Sequence, residues 1–72
     1  MGEMNFKRAA WALEALEEFC VHTGQDLRHE KQEAIGDLIC DLLHLANQSS
    51  MDAEVVHQHA LDMYQGEIHD DE

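Results

Sequence analysis

The chain has no proline and only four glycines in 72 residues, so little in it forces a turn or breaks a helix. Basic residues are scarce as well: four Lys and Arg stand against 16 Asp and Glu, a net charge of -12. That imbalance argues against direct binding to nucleic acid phosphates or to anionic membranes. No apolar run reaches the roughly 18 residues that a membrane span needs. The two cysteines, Cys20 and Cys40, lack CxxC spacing and follow no signal peptide, so they read as two buried thiols in a reducing cytoplasm. There is no phosphate-cradling glycine loop, no GxGxxG, no internal repeat, and no Ser/His/Asp or Cys/His arrangement at a spacing that argues for catalysis.

What is present is helix-forming. Apolar residues make up 44% of the chain, and Leu, Ala, Glu, Gln and Met dominate. Residues 5–22 carry Phe6, Ala9, Leu13, Leu16 and Cys20 at alternating spacings of three and four, which puts them on one helical stripe. Trp11 lies to one flank, placed to cover the core edge or to face a partner. Gly24 sits where a left-handed cap would end the helix. Asp26 is the expected N-cap of a second helix over 27–48, and Asp52 that of a third over 53–65, ended by Gly66. Residues 67–72, "EIHDDE", read as a frayed acidic tail. Met4 is a second candidate start, so nothing is rested on the residues before it.

These elements predict an all-α, single-domain protein over 1–66: an antiparallel helical hairpin with a third helix packed across it. The second helix is central. Its Ile35, Leu38, Ile39, Leu42, Leu43, Leu45 and Ala46 cover roughly 160° of the helical wheel, more than one neighbour would occupy. Leu38, Leu42 and Leu45 are expected in the core, with Gly36 marking a close approach of another backbone. So wide an apolar arc in so short a chain predicts a symmetric homodimer forming a larger bundle.

The candidate chemistry also lies on the second helix. Glu33, Asp37, Asp41, His44 and Gln48 fall within about 80° of one another on the wheel. Two readings compete. One is the solvated side of an amphipathic helix, and it is the favoured one. The other is a metal site built from Glu33, Asp37, Asp41 and His44, with Glu14, Glu17 and Glu18 supplying oxygens from the first helix; the ions it would take are Mg²⁺ or Mn²⁺. His22, His29, His57, His59 and His69 read as surface residues.

The stretch "EAIGDLICDLLHLANQSSMDAEVV" resembles the second half of the MazG-like nucleotide pyrophosphohydrolases. That likeness implies an all-α, oligomeric, Mg²⁺-dependent enzyme that splits nucleoside triphosphates to monophosphate and pyrophosphate. Asp37 matches the Asp of the family's Glu-x-x-Asp, and Asp52 matches the cap of its next helix. The Glu of that motif is replaced by Ala34, with Glu33 one residue too early, and Glu14, Glu17 and Glu18 echo the earlier Glu-Glu-x-x-Glu in a different order.

A longer stretch, "EAIGDLICDLLHLANQSSMDAEVVHQHALDMYQGE", resembles small acidic helical proteins of bacterial plasmids, phages and integrated elements. Asp37, Leu38, Asp41, Leu42, His44, Asp52, Tyr64 and Glu67 carry that likeness, which implies a bacterial accessory protein and no mechanism.

The function expected on these grounds is cytoplasmic, non-enzymatic binding of another protein by a homodimer. The alternatives are a MazG-like pyrophosphohydrolase or its inactive remnant, and an inhibitor that mimics DNA with its acidic surface.

Overall fold

A computed structural model describes residues 3–70. It contains three helices: α1 (Glu3–Thr23), α2 (Leu27–Gln48) and α3 (Ala53–Asp70). The all-α, three-helix arrangement is the one the apolar spacing predicts.

The corners are made by local chemistry. Gly24 has φ +78 and donates its N–H to the Cys20 carbonyl at 2.8 Å, ending α1 in a left-handed cap. Two residues on, the Asp26 carboxylate accepts from the Arg28 N–H at 2.9 Å and starts α2. The far end of α2 closes in a Schellman turn. There the Met51 N–H donates to Ala46 O at 2.9 Å and the Ser50 N–H to Asn47 O at 3.2 Å. The left-handed position of that turn is filled by Ser50, at φ 66, where glycine is usual. Asp52 then accepts from the N–H groups of Glu54 and Val55 at 3.0 and 3.3 Å and caps α3.

The third helix does not stop at Gly66. It runs on to Asp70, so most of the expected frayed tail is helical. One interior glycine costs about 1 kcal/mol against alanine, and the segment beyond it is held by α1. The Asn5 Nδ2–H donates to the Glu67 carbonyl at 3.2 Å, and Arg8 Nε lies 3.7 Å from Glu67 Oε2. The last residues of the predicted tail, 71–72, lie outside the described residues.

That contact reveals the architecture. In an up-down-up bundle the start of α1 and the end of α3 would lie at opposite ends. Here they touch, so α1 and α2 meet near their turn and diverge, and α3 spans the open mouth as the third side of a triangle. The result is a plate of 36 × 33 × 15 Å, whose two long dimensions are each about one 22-residue helix.

Packing is deepest at the first corner. Leu16, Cys20 and Ala34 are buried there, with Phe19, Leu27 and Leu38 packed against them. Ala46 is buried at the corner between α2 and α3. These are the only buried residues among those described. Leu38 is half-buried as expected for a core position, but Leu42 and Leu45 are 52% and 60% exposed in the single chain. Leu42 lies where α1 and α2 have diverged, and Leu45 points about 100° round the helix from Ala46, the residue buried at the α3 corner. A Cβ placed on Gly36 would meet nothing within 4 Å, so among the described residues no other backbone approaches it closely.

Candidate functional site

The polar stripe of α2 divides into three parts. Asp37 is tied to the first turn: its Oδ2 accepts from Gln25 Nε2 at 2.8 Å, and Gln25 Oε1 accepts from the Thr23 hydroxyl at 2.7 Å. The carboxylate that matches the pyrophosphohydrolase motif therefore anchors the turn before its own helix. Glu33 borders a depression open to solvent, together with His29, Glu30 and Gln32.

Asp41 and His44 form the third part, and they are joined by Cys40. One donor atom from each of the three lies within 4.8 Å of the others, and all three residues are exposed. Among the described residues this is the only such group. It takes two residues from the expected ligand set, leaves out Glu33 and Asp37, and draws nothing from Glu14, Glu17 or Glu18. The Cys40 thiol is correspondingly exposed, not buried as its apolar neighbours predict, whereas Cys20 is buried. The spacing of Cys40 and His44, four apart on one helix, is the signal that could have found this grouping.

The donor set of sulfur, nitrogen and one carboxylate is softer than Mg²⁺ prefers. All three donors come from one turn of one helix, and no second element closes over them. The remaining imidazoles have ordinary surface positions. His22 Nε2 lies 3.6 Å from Glu18 one turn earlier, and His29 Nε2 lies 3.9 Å from Asp26.

A larger feature is apolar. Among the described residues Met4, Phe6, Trp11, Leu13, Ile35, Ile39, Leu42, Leu45, Val56, Met63 and Tyr64 all stand exposed. On α2 Leu42, Ile35 and Ile39 lie within about 60° of one another on an arc that also holds Ala46, buried at the far corner, and Leu45 lies on the bearing of Ala34 and Leu38, which face α1. Every acid of α2 lies outside that arc. On α1, Trp11 lies about 140° round the helix from the buried Leu16, on the side that also carries Met4, seven residues earlier.

Comparison with protein-family models, with curated proteins and with solved structures finds no match. No helix among the described residues is long and apolar enough to cross a membrane.

Proposed function

We propose that this chain is a non-catalytic, acidic helical protein that self-associates and acts by binding another protein, as an accessory or regulatory factor of a bacterial mobile element, in the cytoplasm. The observation that carries this reading is the combination of a very small core with large apolar side chains exposed on all three helices. Monomeric soluble proteins rarely leave contiguous apolar surface of this kind bare. Asp37, the carboxylate that matches the pyrophosphohydrolase motif, is engaged by Gln25, which favours binding over hydrolysis.

The partner-facing surface is assigned to the outer side of α1. Trp11, 56% exposed, is the residue type that most often dominates a protein interface. The charge of -12 selects a partner that is neutral or basic on its contact face. Affinity purification from a bacterial host, read by quantitative mass spectrometry, tests this. A stoichiometric partner retained by the wild-type chain and lost with Trp11→Ala is the expected result. Mg²⁺- or Mn²⁺-dependent hydrolysis of a nucleoside triphosphate, abolished by Asp37→Ala, would overturn it in favour of the enzyme.

A further inference from the structure

We infer that the inner apolar arc of α2, centred on Ile35, Ile39 and Leu42, is the seat of a second copy of this chain, so that two triangular plates stack face to face around a shared six-helix core. The inference rests on the self-association proposed above and specifies its surface.

The single chain exposes 6003 Å². A compact monomer of 8.2 kDa would expose about 4,500 Å². Two chains packed to the compactness of one protein of twice that mass would expose about 7,500 Å². Reaching that level removes roughly 4,500 Å² in total, within the range of obligate homodimers and beyond that of transient contacts.

Each copy carries -12, so two copies can meet only where carboxylates are absent. On α2 the arc that includes Leu38, Leu42, Ile35, Ala46 and Ile39 contains no acid, and Glu33, Asp37 and Asp41 gather on the opposite side. Apposition through the arc buries the apolar stripe and sends the acids of α2 outward to solvent. A two-fold axis places the same residues on both sides, so each substitution acts twice.

Ile35, Ile39, Leu42 and Ala46 repeat at intervals of four, three and four, the rhythm of a seam that meets another helix. In the single chain only Ala46 is covered.

The test is sedimentation equilibrium of the full chain over a concentration series, with helicity followed by circular dichroism. The wild-type chain is expected at twice its 8.2 kDa mass. Ile39→Glu should weaken the dimer by at least about 100-fold, since the charge enters the interface twice. Ile39→Ala and Leu42→Ala, which add no charge and keep the helix, should each weaken it by about tenfold. Trp11→Ala should leave the dimer intact.

A wild-type chain that sediments as a monomer at micromolar concentration, or as a trimer or larger, overturns the inference. So does a dimer whose dissociation is unmoved by the two alanine variants while helicity is retained. That last result removes the assigned face alone. Loss of the protein partner with Trp11→Ala is read separately and bears on the proposed function.

Discussion

Asn5 and Glu67, 62 positions apart, are joined by a hydrogen bond from the Asn5 side-chain amide to the Glu67 backbone carbonyl, 3.2 Å long. With the neighbouring Arg8–Glu67 ion pair, it holds the start of α1 against the end of α3 and turns three helices into a closed triangle. Its two members should differ in weight. Asn5→Ala removes a part-buried hydrogen bond and should cost about 0.5–1.5 kcal/mol. Arg8→Ala removes an exposed pair and should cost less than about 1 kcal/mol. Urea unfolding of the two variants checks the order.

Ala34 is fully buried where α1 and α2 meet, against the cluster of Leu16 and Cys20. No space is left there for a larger side chain. Ala34→Leu should therefore destabilise by about 1–3 kcal/mol through overpacking, although leucine is nearly as good a helix former as alanine. An unchanged melting temperature would mean that the two helices do not meet at this point.

The two left-handed corner residues make opposite predictions. Ser50 stands at φ 66 where glycine is free of strain, so Ser50→Gly should stabilise by about 0.5–1 kcal/mol, net of glycine's extra unfolded-state entropy. Gly24 stands at φ 78, so Gly24→Ala should destabilise by about 1 kcal/mol. Chemical denaturation of both variants should show the signs diverging.

Millimolar Mg²⁺ or Mn²⁺ should leave the melting temperature flat. Hard cations take about six oxygen ligands, and the group of Cys40, Asp41 and His44 offers one carboxylate. Asp37→Asn keeps an acceptor for Gln25 and should change stability by no more than about 0.5 kcal/mol. A rise in melting temperature on adding either ion, lost in Asp41→Asn, would establish a site by mass action.

The sequence by itself determined the parts of this protein whose causes are local. Gly24, Asp26 and Asp52 mark their corners because a left-handed cap and a side-chain N-cap depend on residues only a few positions apart. The helical periods of α1 and α2 were legible for the same reason. The Schellman turn at Ser50 was not, since serine carries no preference that announces a left-handed residue. Nor was the continuation of α3 past Gly66, because it is supported by α1 from the other end of the chain.

Only the tertiary structure decided what the helical faces meet. The apolar arc of α2 was read as one face, and Leu42 and Leu45 were expected inside it. Both are exposed in the single chain, Leu42 where α1 and α2 have diverged and Leu45 about 100° round the helix from the buried Ala46. The same distinction separates Asp37 from Asp41 within one polar stripe. A helical wheel places them side by side, but the fold of the first turn delivers Gln25 to Asp37 alone. Periodicity gives the direction of a side chain about its own axis. Which partner lies in that direction depends on the angle between helices, which here brings Asn5 and Glu67, 62 positions apart, into contact.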